Sequence, residues 1–277
     1  MKWVYCLSTS VLLASNWSAK AHDFWIEADQ QHVMAGETVS VTAKTGHGID
    51  QSLWPIVPHR ITSLRSINAD GVEDHQTAIL GAIDTGIFNF SDLEEGTHIL
   101  AIESGNSFSE LPVETFMSYV EEEGILPIAR DREWNGDGIS SGKELYSRRG
   151  KTLVQVGSRP EAGRHLTKPI GMTLEITPTE NPFDIAPGSS MNVQVHYRGQ
   201  PVDGATIHVT KLDQPDVSTT LRTRSDGIAE MPRISEGRWL FHTVWSSPAQ
   251  GLLNGADYMT VFSSLTFDID GPGEGGR

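Results

Sequence analysis

Ala35-Gly36-Glu37-Thr38-Val39-Ser40-Val41-Thr42-Ala43 is the stretch that decides the fold. A turn (Ala35-Gly36-Glu37) leads into six residues in which apolar Val39, Val41 and Ala43 alternate with polar Thr38, Ser40 and Thr42. Period two is the signature of a strand with one face buried and one wet. Outward from it the same grammar repeats. Gly86-Ile87-Phe88-Asn89-Phe90 alternates again, and Glu95-Gly96 turns into Thr97–Ile102. From about Gly171 a second series begins, with Met172–Thr177, Met191–Tyr197, Thr206–Lys211, Ile228–Met231, Arg238–Trp245 and Ser264–Phe267, each preceded by Gly-, Pro- or Asp-rich turns. Many short strands between such turns indicate sandwiches.

The segment between the two series has another rhythm. Val113, Phe116, Met117 and Val120 recur at helical spacing, and Gly124 is a stop signal. Asp131 to Gly142 reads as a polar loop, and Ser141 with Glu144 resembles a capping box for a short helix near Lys143–Arg149. The expected fold is therefore mostly β: two β-sandwich (immunoglobulin-like) domains with a partly helical connecting segment. The boundaries are a signal peptide over 1–21, an N-terminal sandwich over 22–110, the connector over 111–168, a C-terminal immunoglobulin-like domain over 169–270 and a flexible tail over 271–277. An internal echo links the halves. Gly36-x-x-Val39-x-Val41 recurs as Gly188-x-x-Met191-x-Val193, and Glu95-Gly96-x-x-Ile99-Leu100 as Glu236-Gly237-x-x-Leu240-Phe241. Duplication explains it, and so does the general similarity of one turn-then-strand unit to another.

Lys2, the apolar run Val4–Ala14 and Ala19-Lys20-Ala21 have the three parts of an export signal. The expected location is therefore periplasmic or secreted, with no direct membrane insertion. Cleavage after Ala21 makes His22 the first residue of the mature chain. The only cysteine, Cys6, falls inside the signal, so a metal would be held by nitrogen, oxygen or thioether donors. The formal net charge is −15, and losing Lys2 and Lys20 with the signal takes it to −17. So acidic a chain does not suit nucleic acid or anionic lipid. There is no phosphate loop, and no dinucleotide fingerprint set between a strand and a helix.

A terminal His offers two donors from one residue, its α-amine and its ring Nδ1, which close a chelate ring on one ion. A second histidine completes a three-nitrogen arrangement that nickel and copper favour. His47, between Gly46 and Gly48, and His242, on the Arg238–Trp245 strand, are the candidate partners; the remaining histidines read as surface or strand-face residues. Asp131-x-Glu133-x-Asn135-Gly136 has calcium-loop spacing but Gly142 at the twelfth position, where a bidentate Glu belongs. Glu121-Glu122-Glu123 reads as a solvated helix face, and Trp25, Trp54, Trp239 and Trp245 as core.

Several blocks together resemble one family. They are Ala21-His22-Asp23-Phe24-Trp25-Ile26-Glu27, Phe116–Gly124, Glu144–Arg148 running into Lys151–Gly157, Leu174–Pro178, Gly237–Leu240 and Ser264–Phe267. The chain is similar over nearly its whole mature length to a bacterial exported family of unknown function, whose members are often labelled periplasmic components of nickel or cobalt uptake. The resemblance implies a binding module without turnover, with a divalent transition metal (nickel or cobalt, copper as a further candidate) as its ligand. Its partner would be a membrane metal-uptake system. The expected ligands are His22, His47 and His242. Two other classes suit the same sequence: a copper-dependent oxidative enzyme acting on polysaccharide, and a structural or interaction module without metal.

Overall fold

Val39, Val41 and Ala43 are fully buried, while Ser40, Thr42 and Lys44 between them are partly exposed, as alternation requires. The computed structural model describes residues 23–47, 50–136, 140–157, 163–249 and 255–270. The Val39–His47 strand pairs antiparallel with Asp23–Ala28, Asp50–Leu53 and Ile87–Phe90 to form a four-stranded sheet. A second four-stranded sheet is built from Leu174–Pro178, Met191–Tyr197, Gln200–Pro201 and Ile228–Met231. The chain is mostly β, and its two halves share a ten-stranded sheet that faces both of these.

The hub of that shared sheet is the Gly142–Val156 strand. It runs parallel to Tyr258–Ile269 and antiparallel to Ser107–Leu111 and Gly96–Ser104. The helix expected near Lys143–Arg149 is thus replaced by strand. The capping-box spacing misleads because the Glu144 carboxylate accepts a hydrogen bond from Thr260 Oγ1, 2.6 Å away on the neighbouring strand. Backbone pairing on both sides outweighs one local side-chain cap. Next to it, the Gly96–Ser104 strand is buried almost throughout. Ile99 and Ala101 point into one apolar core with Ile176, Val193, Phe241 and Phe267, whereas Leu100 and Ile102 point into the other with Phe24, Val41, Phe88 and Phe90. A strand with apolar layers on both faces reads as a continuous apolar run, as His98-Ile99-Leu100-Ala101-Ile102 does.

The hub is also fastened by charge. Lys151 and Glu175, both fully buried, form a 2.7 Å ion pair, and Glu175 also accepts from the backbone amides of Ile170, Gly171 and Met172. This ties the chain that crosses from one sandwich to the other. The internal echo extends to conformation. Gly36 and Gly188 have φ of 84° and 90°, and Gly96 and Gly237 have φ of 132° and 110°.

Two helices, Val113–Glu122 and Leu126–Asn135, cover one end of the shared sheet. Phe116, Tyr119, Val120, Ile125 and Ile128 pack there against Val244, Tyr258 and Phe262. The stretch expected as a polar loop from Asp131 is helical as far as Asn135, and the Asp131 carboxylate accepts from Tyr258 Oη at 2.8 Å, which removes the calcium-loop reading. Among the described residues no helix is long and apolar enough to cross a membrane.

Gly124 ends the first helix at φ 62°, and a Cβ there would lie 2.2 Å from Thr206 Oγ1. Replacing it with alanine combines a left-handed strain with an overlap. G124A is expected to lower stability by about 1–3 kcal/mol in chemical denaturation, because neither the backbone nor the packed Thr206 has room to relax.

Candidate metal centre

The Asp23–Ala28 strand starts at the sheet edge with Asp23 opposite Gly46, so the following residue, His47, reaches the same carboxylate. His47 Nδ1 stands 3.3 Å from Asp23 Oδ2. His242, on the Gly237–Pro248 strand of the shared sheet, approaches from below, with Nδ1 3.2 Å from Asp23 Oδ1. Two of the histidines expected from sequence therefore meet, and they meet on a carboxylate. His22 lies outside the described residues, one peptide bond before Asp23.

Two further groups complete the cluster, and neither stood out in the sequence. Glu123 follows the Val113–Glu122 helix and is 3% exposed, so the solvated face expected for Glu121-Glu122-Glu123 is corrected at this residue. Its Oε2 lies 3.9 Å from His242 Nδ1 and 3.7 Å from His208 Nε2. The reason is periodicity: Glu123 is seven residues after Phe116, two helical turns along the same buried stripe. That spacing was the available signal, masked by the run of three acids. His208 is the cross-strand partner of His242, and their rings stand 6.1 Å apart. It is partly exposed on the face of the Thr206–Lys211 strand, one of the two positions expected for it.

One ligand atom each from Asp23, Glu123 and His242 falls within 4.8 Å of the others. Donors each about 2 Å from one ion lie at most about 4 Å apart, so these side chains would draw together slightly to hold it. The polar atoms fit such an ion. Glu123 Oε2, both His242 ring nitrogens and His208 Nε2 are buried and make no hydrogen bond among the described residues. Unpartnered buried polar atoms are costly, and an ion is one of the few things that satisfies a carboxylate and an imidazole at once. Glu123 also sits at the C-terminal end of its helix, where the helix dipole favours positive charge. The cluster opens on a polar cleft of ≈ 310 Å³, bordered by Asp23, His47, Glu122 and Glu123 and by His208, Thr210, Ser218 and Thr220.

The electrostatics follow from burial and proximity. Burial, reinforced by the Asp23 charge, pushes the Glu123 carboxyl up to about 9. Burial opposes ionisation of Asp23 as well, but His242, His47 and His208 together outweigh it and hold that carboxyl below its usual range. Burial pulls His242 down to about 4, partly offset by Asp23. At neutral pH the cluster thus contains an ionised Asp23, a neutral His242 and a protonated Glu123. Neutral imidazole is the form that binds metal.

Stability should report this. Glu123 ordinarily titrates at 4.5, so between that value and about 9 the folded chain holds a proton the unfolded chain has released, and stability falls as pH rises. His242 acts at the other end: its lowered value gives stability that is present above 6.5 and lost as pH falls through about 4. The melting temperature of metal-free protein is expected to fall between pH 6.5 and 9, and E123Q should remove most of that fall when both are followed by circular dichroism.

A family model described as "Domain of unknown function (DUF4198)" matches residues 19–247, which takes in every residue of this cluster. The chain belongs to the DUF4198 family. Comparison with curated proteins finds no match. Among solved structures, this DUF4198 chain is similar to the D0-D1 domain of intimin, at 12% identity over 88% of this chain and 97% of that one, with a TM-score of 0.21. It is also similar to the fibronectin(III)-like modules of Clostridium thermocellum CbhA, at 10% identity over 91% of this chain and 97% of that one, with a TM-score of 0.22. The architecture of the DUF4198 chain rests on its own strand pairings.

Proposed function

We propose that this protein binds a divalent transition metal in the exported space and supports its uptake, as a binding module without turnover. The observation that carries the reading is the convergence of Asp23 with the buried Glu123 and His242, whose Oε2 and ring nitrogens make no hydrogen bond among the described residues. His47 and His208 stand close enough to Asp23 and Glu123 to exchange those partners for an ion. If the chain is processed after Ala21, the α-amine and ring of His22, one residue before Asp23, become further candidate donors. Imidazole with carboxylate suits nickel, cobalt or zinc, and the lack of thiolate disfavours soft Cu(I). Nickel or cobalt is preferred, in keeping with the label often attached to the family that the chain resembles; a membrane uptake system would be the recipient.

The expected test result is proton release. A cation that coordinates Glu123 displaces the proton held there at neutral pH. Calorimetric titration of the mature chain with nickel at pH 7, in buffers of different ionisation enthalpy, should show about one proton released per ion by way of Glu123. E123Q should bind more weakly and release correspondingly less. Nickel binding that E123Q leaves unchanged in affinity and proton count would exclude Glu123 as a ligand.

A further inference from the structure

The cleft is larger than an ion needs. A water occupies about 30 Å³ of liquid, so ≈ 310 Å³ holds on the order of ten. An ion anchored by three protein donors leaves about three positions for water in an octahedral shell. The remaining space suits a small organic molecule, and the whole cleft lies at the lower end of the range typical of small-molecule sites, roughly 300–1,000 Å³.

The wall opposite the carboxylates has a definite chemistry. Strand register sets His242, His208 and Thr220 side by side across three strands, with Leu240, Thr210 and Ser218 in the row two residues along. Cross-strand partners share a face of the sheet, so Thr210, Ser218 and Thr220 extend the imidazole row outward as a strip of hydroxyls. None of these hydroxyls is engaged in a side-chain hydrogen bond among the described residues. Asp23, Glu122 and Glu123 border the cleft, and among the described residues no lysine or arginine lines it. An anionic chelator such as a polycarboxylate would meet repulsion there. A neutral or cationic one would not. Glu123, almost fully buried and with no hydrogen bond to Oε2 among the described residues, is the group at the floor of this space that calls for a cation.

We propose that the ion is taken up as a complex with one small, neutral or cationic nitrogen chelator of amino-acid type, which fills the cleft and hydrogen-bonds to Thr210, Ser218 and Thr220. This rests on the metal reading of the same site and adds the identity of the ion's companion. The hydroxyl strip recognises the chelator's outer amine and carboxyl groups, while Asp23, Glu123 and His242 take coordination positions the chelator leaves open.

The test is native mass spectrometry of the mature chain with nickel alone, with nickel plus L-histidine, and with nickel plus citrate. The wild type should give a ternary species of protein, nickel and one histidine, and no ternary species with citrate. In a T210V/S218A/T220V variant the histidine-containing species should fall about tenfold, the effect of roughly 1.4 kcal/mol of lost hydrogen bonding, with the nickel-only species still formed. Nickel-only adducts under all three conditions, or a ternary species that the triple variant forms equally well, would overturn the chelator proposal and leave the metal site standing. No nickel adduct of the wild type under any condition would overturn the metal reading itself.

Discussion

H242A is expected to weaken nickel binding by more than about 100-fold. Loss of a residue that merely orients a metal ligand costs about 10–100-fold, and His242 is placed to be a direct donor: buried, neutral at physiological pH and 3.2 Å from Asp23. Its ring also stacks on Phe262, with centroids 6.3 Å apart, so removal to alanine opens a small cavity beside the helices. E123Q serves as the shape-preserving comparison, because it keeps the volume and removes only the carboxyl's ability to ionise. The two variants should lose affinity in calorimetry while only H242A loses appreciable thermal stability in the absence of metal. Full nickel affinity in folded H242A would remove the central ligand from the site.

The second large effect concerns the chain start. A mature chain beginning at His22 carries an α-amine next to an imidazole, and one extra residue in front of it turns that amine into an amide. An amide nitrogen at neutral pH is a far poorer donor, so the chelate ring at His22 is lost. The extended chain is expected to bind nickel at least about tenfold more weakly than the one starting at His22, by the same reasoning from ligand loss. Equal affinities would mean that Asp23, Glu123 and the three histidines from within the folded chain hold the ion unaided. Peroxide production by a copper-loaded form with reductant would instead favour the oxidative-enzyme alternative.

The strands around Val39–Ala43 were readable because each buries a single face, and alternation in sequence then records burial directly. The sharing of one sheet by both halves was not readable. The Gly142–Val156 strand carries Glu144, Arg148, Arg149 and Lys151, charges that look like solvent exposure until their partners, such as Thr260 and Glu175, are known. The site divides the same way. His47 and His242 stood out by residue type and context, and the structure sets both against Asp23. Asp23 and Glu123 did not stand out, because an acidic residue is common on surfaces and only its place in three dimensions marks it as buried. Glu123 had a helical-phase signal that the neighbouring acids obscured. His208 acquires meaning only from its pairing with His242 across the sheet, a contact between residues 34 positions apart that no local pattern encodes.

The central claim is that one divalent ion sits among Asp23, Glu123 and His242. The most direct measurement is a crystal structure of the nickel-treated mature chain with anomalous diffraction at the nickel edge. The account predicts one strong peak within about 2.0–2.3 Å of donor atoms from all three residues, the usual bond lengths for such ligands. A strong peak at exposed histidines such as His59, with none at this cluster, would contradict it.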